Sequence, residues 1–194
     1  MIIAVVLHEY VKAHVARKLG DGGIVPAGRL SFNPKKHIDP LGGIFMLLFG
    51  FGWANPVKLS PFHYKDRKKA MLLIFAIPFI VSMLLGMLFF MITVLWFDVY
   101  ILGHESTLLQ EYIGIALLLT ARINIGFALI NLLPVYPFDG SILLSGLSPM
   151  AGAKMAQIER TVQIIVALLI IFGFASMIFN PLINQIMLVF LPTS

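Results

Sequence analysis

Long uninterrupted runs of apolar residues dominate the hydropathy pattern of this chain. Met71–Phe97 carries no charge and exceeds the roughly 20 residues that a membrane-spanning helix needs. Tyr112–Leu133 and Thr161–Phe179 are further candidates for spans, and Arg122 interrupts the first of them. Met1–Leu19 is a fourth candidate, although ionisable residues interrupt it. The pattern predicts an all-α polytopic membrane protein with about four transmembrane helices.

Shorter segments separate these runs. Leu41–Ala54 is apolar but rich in glycine, and Leu182–Leu191 is also too short to span, so we expect re-entrant or interfacial pieces there. Gly20–Pro40 is rich in glycine and proline, and its Arg29–Phe32 portion alternates like a strand. We therefore expect a small β element after the first helix. No internal repeat is present, which predicts a single membrane-embedded domain over residues 1–194.

Composition agrees with a location in the cell membrane. The chain is 59% hydrophobic and 12% charged, whereas soluble domains average about 25% charged residues. It has no cysteine, which excludes disulfides and thiolate metal sites. The net charge of +5 comes from basic residues beside the apolar runs, where membrane topology explains them. We therefore expect the lipid bilayer, and no nucleic acid, among the partners.

The basic residues are distributed unevenly among the loops. Ten of the 14 lysines and arginines lie between Arg17 and Lys69, whereas the loop Asp98–Gln110 has none. Cytoplasmic loops of membrane proteins carry an excess of lysine and arginine. The pattern predicts that Arg17–Lys69 and Pro134–Arg160 face the cytoplasm and that Asp98–Gln110 lies outside.

The first apolar run contains residues of the types that bind metals or catalyse reactions, in the segment "VLHEYVKAHVARKLGD". His8 and Lys12 share one helix face, with Glu9 beside them, because each residue turns the helix by about 100°. Zinc-protease helices of the form H-E-x-x-H use this spacing for two imidazole ligands and a glutamate base. Here Lys12 occupies the second position, and an ammonium has no lone pair for a metal. His14 lies on another face.

A second polar constellation ends the Tyr112–Leu133 run. It reads "NLLPVYPFDGS", from Asn131 to Ser141. Its two prolines end a helix and place Asp139 on unwound backbone at the cytoplasmic edge of the membrane. An Asp-Gly turn after a helix also explains this segment if it is taken alone. In a membrane, however, ionisable residues favour a functional interpretation.

Taken in order, these motifs resemble those of the site-2 protease family of intramembrane zinc metallopeptidases. "HEYVKAHVARKLGD" is similar to the family's first motif, and "GRLSFNPKKHIDPLGGI" and "FGWANPVKLSPFHY" to segments of one compact bacterial branch. "NLLPVYPFDGS" is similar to the second motif. The resemblance implies that His8 and Asp139 are zinc ligands and that Glu9 is the catalytic base. Asn131, Pro134 and Pro137 match the frame of the second motif.

Two departures from the family pattern make its motifs degenerate. Lys12 stands where the second histidine ligand belongs, giving HExxK instead of HExxH. In "AIPFIVS", Pro78 matches the family's G-P-x-x-N motif, but Ile77 and Val81 replace the glycine and the asparagine. The resemblance implies substrate-positioning roles for Pro78, for Asn131, and for Asn124 in the third span.

Lys12 admits two interpretations. Its ammonium is within reach of an i,i+3 ion pair with Glu9 and can neutralise Glu9 or Asp139 at the place of the metal. Alternatively, zinc binds His8, Asp139 and a recruited residue, namely His14 or His37. Arg122 is interpreted as a substrate-positioning residue or, more simply, as the partner of Glu9 or of a backbone carbonyl.

Three functions follow from these alternatives. The first is an intramembrane zinc endopeptidase that cuts membrane-embedded peptides near the cytoplasmic face. The second is a non-catalytic relative that binds a transmembrane peptide or partner protein. The third, a channel or transporter using Arg122, gives the two ordered motifs no role. Lys12 discriminates between the first two functions, and the sequence leaves catalytic activity open.

Overall fold

A computed structural model of the protein describes residues 2–60, 63–100 and 106–189. These residues are mostly helical. The helices are α1 (Ile2–Lys18), α2 (Pro34–His37), α3 (Pro40–Phe49), α4 (Arg67–Tyr100), α5 (Leu108–Ile130), α6 (Gly140–Leu147), α7 (Pro149–Gln157), α8 (Glu159–Ile171) and α9 (Phe174–Val189), with a 3-10 turn at Gly22–Ile24.

Among the described residues, α4 and α5 are long and apolar enough to cross a membrane. The helices α8 and α9 qualify only as a pair, which is bent by 70°. The predicted span Thr161–Phe179 falls within this bent pair: Gly173 adopts a φ of 78° between the two helices, in the left-handed region that glycine enters easily. The described ranges thus contain two candidate spans, or three if the bent pair is one. About four spans are not supported, since α1 has 17 residues.

Close packing of α4 against α5 forms the centre of the molecule. Gly86 allows the approach, because a Cβ built at this position would lie 2.6 Å from the Ile125 side chain and 3.2 Å from the Ala121 carbonyl oxygen. The principal apolar core lies between these helices and the α8–α9 pair. A second buried cluster joins α1 to the start of α4, so α1 is fixed against the long helix.

The predicted β element is not formed: the described residues contain no strand, only one isolated antiparallel bridge between Ile38 and Ala54. The physical reason is the environment of Arg29. Its guanidinium donates hydrogen bonds to the carbonyl oxygens of Lys36, Asn55 and Pro56 at 2.6–3.0 Å, so the backbone folds around the side chain. Strand-like alternation around Arg29 therefore reflects one buried arginine and not a sheet.

Asp21 fixes the end of α1 to the segment that precedes α4. Its buried carboxylate accepts hydrogen bonds from the Ser60 and Gly23 amides and the Tyr64 hydroxyl. Burial opposes ionisation, but these hydrogen bonds outweigh it and hold the pKa of Asp21 below its ordinary value. The resulting stabilisation is present above the unfolded-state pKa of an aspartate and is lost as the pH falls through the lower folded-state pKa.

The segment predicted to be re-entrant, Leu41–Ala54, contains the short helix α3. Asp39 begins it as the N-cap, with its side chain accepting from the Gly42 amide at 2.8 Å. Gly50 ends it in the left-handed conformation, at φ 76°. The helix contacts α8, and the chain then returns to the bundle through Trp53, which is buried.

Candidate active site

Four ionisable side chains from distant parts of the chain meet at the centre of the molecule. His8, Glu9 and Lys12 lie on one face of α1, and Asp139 follows α5; none is more than 3% exposed. His8 Nε2 is 2.8 Å from Asp139 Oδ2, and Lys12 Nζ is 2.6 Å from Asp139 Oδ1. Lys12 also donates to Glu9 Oε1. We call these four residues the His8 cluster.

Asp139 is placed by the turn that ends α5. The Asn131 side chain accepts from the Asp139 amide at 3.4 Å, and the Asn131 carbonyl accepts from the Gly140 amide at 2.8 Å. Asn131 Nδ2 donates back into α5, to the Phe127 carbonyl at 2.8 Å. A side chain at position 140 would collide with the carbonyls of Leu132 and Leu133. The turn thus closes on itself and directs Asp139 towards α1.

His8 is held from two sides. Its Nδ1 lies 2.8 Å from Ser82 Oγ on α4, and its Nε2 faces Asp139. The Phe127 ring packs edge-on against the imidazole, with centroids 5.2 Å apart. Sequence analysis missed Ser82. The available signal was its position four residues after Pro78, because residues i and i+4 share a helix face.

Lys12 joins the two carboxylates of the cluster. Its fully buried ammonium bonds to Glu9 and Asp139, as the sequence interpretation of an i,i+3 pair anticipated for Glu9. One partner alone would leave a buried charge uncompensated, which is strongly unfavourable, whereas a hydrogen-bonded ion pair is tolerated. One atom remains unsatisfied: Glu9 Oε2 is buried without a hydrogen-bond partner among the described residues.

A zinc ion is the cofactor that the resemblance implies, and the donor set can be tested against it. One ligand atom each from His8, Glu9 and Asp139 lies within 4.8 Å of the others, which is compact enough for a metal. The arrangement nevertheless does not fit a zinc centre. His8 Nε2 and Asp139 bond to each other, and the Lys12 ammonium fills the position between the carboxylates. A zinc ion held by His8, Glu9 and Asp139 would have to displace this ammonium from both of its carboxylate partners.

Other predicted residues lie outside the His8 cluster. Asn124 is buried on α5 and bonds to the Thr120 carbonyl, and Pro78 is buried inside α4. Neither histidine proposed for recruitment approaches: His14 is exposed on α1, and His37 is bonded to the Ser31 carbonyl.

The simpler interpretation expected Arg122 to pair with Glu9 or with a backbone carbonyl. Arg122 does not pair with Glu9. It donates to the side chains of Asn184 and Asn180 on α9. The arginine therefore belongs to a different polar cluster, between α5 and α9.

A cavity of about 370 Å³ reaches the cluster at Asp139. Its lining comes from the segment 56–59, from the turn that carries Asp139, and from α6 and α7. Among the described residues, the backbone amides of 57–59 donate no hydrogen bonds to other backbone groups. The buried cluster therefore borders a cavity that has free backbone donors in its lining.

The described part of the chain is thus a membrane-type protein with long apolar helices, in which His-Glu from one helix meets an aspartate beside a cavity. A comparison with curated proteins supports a metallopeptidase-like role. The chain is 32% identical over 187 residues to the "Putative zinc metalloprotease YwhC" of Bacillus subtilis (strain 168), covering 95% of this chain and 84% of that protein. The chain therefore belongs to the same family as YwhC. No family profile and no solved structure matches it.

Proposed function

We propose that the chain is a site-2-protease-type membrane protein in which an ion-pair cluster replaces the zinc centre, and that it binds a membrane-embedded peptide without cutting it. The observation that carries this proposal is the position of Lys12. Its ammonium lies between Glu9 and Asp139, where the family's second histidine would direct a metal. In the HExxK pattern the lysine is then a functional replacement for the histidine, since its ammonium pairs with both carboxylates inside the buried site.

In this proposal each residue of the His8 cluster has a changed role. Glu9, at the base position of the family, accepts a hydrogen bond from Lys12, which occupies one of its two carboxylate oxygens. His8 and Asp139 hold each other instead of a metal. Asn131 positions Asp139, and Pro78 positions the α4 turn that presents Ser82. Asn124 keeps its predicted role beside a bound peptide.

The peptide would enter through the cavity at Asp139. The free backbone amides of residues 57–59 are available to a bound peptide, and extended peptides bind such groups through main-chain hydrogen bonds. Buried polar groups deep in the cavity favour a peptide that is locally unwound, because its free backbone groups need partners inside a membrane. The ligand class is therefore a transmembrane segment or a partner protein that carries one.

A second candidate function, the active zinc endopeptidase, is favoured by one specific observation. Glu9 Oε2 is buried without a hydrogen-bond partner among the described residues. Ligand atoms of His8, Glu9 and Asp139 are also close enough together to surround a metal. The name of the Bacillus relative points to the same function. This candidate requires Lys12 to leave its place between the two carboxylates.

A cleavage and binding assay separates the two candidates. Purified protein in vesicles is incubated with a fluorescent transmembrane peptide and zinc, and compared with Glu9→Gln. We expect both proteins to bind the peptide and neither to cleave it. Zinc-dependent cleavage that Glu9→Gln abolishes would establish the endopeptidase instead. Absence of binding in both proteins would reject the peptide-binding proposal.

We further propose that α1 crosses the membrane together with α4, α5 and the α8–α9 pair, with the His8 cluster nearer the cytoplasmic face. The basic residues between Arg17 and Lys69 support this orientation. A reporter fused after Lys69 is expected to be active in the cytoplasm, and one fused after Thr107 outside it. The opposite result at either position would contradict the orientation.

A further inference from the structure

A second polar cluster lies within the bundle, outside the His8 cluster. Arg122 of α5 donates to Asn184 Oδ1 at 2.6 Å and to Asn180 Oδ1 at 3.5 Å, both on α9. The guanidinium lines a cavity of about 220 Å³ between α5, α9 and the turn that follows α3. We call this space the Arg122 cavity. Apart from Arg122, Asn180 and Ser176, its lining side chains are apolar.

Arg122 is half-buried and lies on an apolar stretch of α5. Thr107 caps the start of α5. With a helical rise of roughly 1.5 Å per residue, Arg122 is about 22 Å along the helix from Thr107. On the facing helix, Gly86 packs beside Ala121 and is about 26 Å along α4 from Lys69 by the same rise. The hydrocarbon core is about 30 Å thick. In the proposed orientation the guanidinium therefore lies within the hydrocarbon core, about 12 Å along α5 from Ile130 at the cytoplasmic end of that helix.

The charge of Arg122 is not compensated within the described part of the chain. No carboxylate among the described residues lies within ion-pair distance of it, and its partners are neutral amides. The amide oxygens satisfy two of its hydrogen-bond donors, but they leave its positive charge without an opposite charge. An arginine at this depth normally pairs with an opposite charge or serves a function. Its fork geometry matches a carboxylate through two parallel hydrogen bonds.

We propose that the Arg122 cavity is a docking site for a membrane-spanning helix of a partner protein that carries an aspartate or glutamate near its centre. The positive charge of Arg122 indicates that the ligand carries a negative charge. The position of Arg122 along α5 indicates that this charge belongs to a membrane-spanning helix and not to a lipid headgroup. Lipid phosphates lie at the interfaces, about 15 Å from the membrane centre, whereas a side chain in the middle of a helix reaches the cavity directly. Gly50 lines the same space, and no atom lies within 4 Å of a Cβ built there, so a partner can approach this wall of the cavity.

The docking site goes beyond the proposed function and does not depend on whether Lys12 excludes zinc. It has one connection to the His8 cluster. Phe127 lines the Arg122 cavity and also packs against the His8 ring. A docked helix therefore contacts Phe127, a residue that packs against the candidate active site.

The test uses designed transmembrane peptides as probes. Two fluorescent apolar helices of equal length carry glutamate or glutamine at the centre, and binding to the full-length protein is measured by energy transfer in phosphatidylcholine vesicles. We expect the glutamate helix to bind about tenfold more tightly, equivalent to about 1.4 kcal/mol. Arg122→Gln is expected to remove the difference. Arg160→Gln, a matched change at an exposed arginine outside the cavity, is expected to retain it.

A charge reversal keeps the test decisive if Arg122→Gln weakens the fold. Arg122→Glu is expected to prefer a helix with a central lysine over one with glutamine. Equal binding of the glutamate and glutamine helices to wild type would overturn the proposal. If anionic phosphatidylglycerol removes the preference for glutamate through Arg122, the site takes a lipid headgroup, and the proposal is likewise overturned.

Discussion

Replacing Lys12 with histidine is expected to raise the zinc content of the purified protein to about one ion per chain. The wild-type ammonium lies 2.6 Å from Asp139 and is bonded to Glu9, so a metal approaching His8 meets a cation. Like charges at close range repel by several kcal/mol at the effective dielectric of a partly buried site. Lys12→His removes this repulsion and restores an imidazole one helical turn from His8. Elemental analysis by mass spectrometry measures the result.

The controls for this prediction are internal to the site. Adding His8→Ala or Asp139→Ala to Lys12→His is expected to abolish the gain, because each removes a ligand. Lys12→Gln removes the charge without supplying an imidazole, and we expect little zinc in it. Failure of Lys12→His to gain zinc would show that the backbone frame no longer fits a metal centre.

Replacing Lys12 with methionine is expected to lower the free energy of unfolding by about 3–5 kcal/mol, the usual loss when one partner of a buried ion pair is removed. Methionine has a similar length, so packing changes little. Two buried carboxylates, Glu9 and Asp139, then face each other without the ammonium that joins them. The stability is measured from thermal or denaturant unfolding in detergent micelles, without added metal.

Two comparisons isolate the ion pair from the change in side chain. Lys18→Met lies on the same helix but at an exposed position, and we expect a change within about 0.5 kcal/mol. Adding Glu9→Gln and Asp139→Asn to Lys12→Met removes the unpaired charges and is expected to recover much of the lost stability. An equal loss in Lys12→Met and Lys18→Met would show that the buried ion pairs contribute nothing.

Apolar run length predicted the long helices but not their breaks. The run Met71–Phe97 lies within α4, and Tyr112–Leu133 largely coincides with α5, because an uncharged run of that length has few alternatives to a helix. The run Thr161–Phe179 looked equally continuous. Its break depends on the conformation of Gly173, whereas Gly86 lies unbroken inside α4, and hydropathy cannot distinguish the two.

At the candidate site, the sequence likewise predicted which residues share one helix, but not which residues meet between helices. Helix geometry predicts that His8, Glu9 and Lys12 lie together, since they belong to one face. The approach of Asp139 was expected from the family resemblance and not from spacing. Ser82 was missed because its contact with His8 depends on how α1 packs against α4. The false strand at Arg29 has a similar origin, since its carbonyl partners include distant residues.

The zinc content of the wild-type protein tests the central claim most directly, namely that the Lys12 ammonium replaces the metal. Full-length protein is purified without chelator, equilibrated with buffered zinc, and analysed for metal together with His8→Ala. The account predicts clearly less than one zinc per chain in wild type, with no further loss in His8→Ala. About one zinc per chain in wild type, lost in His8→Ala, would contradict it and favour the active metallopeptidase.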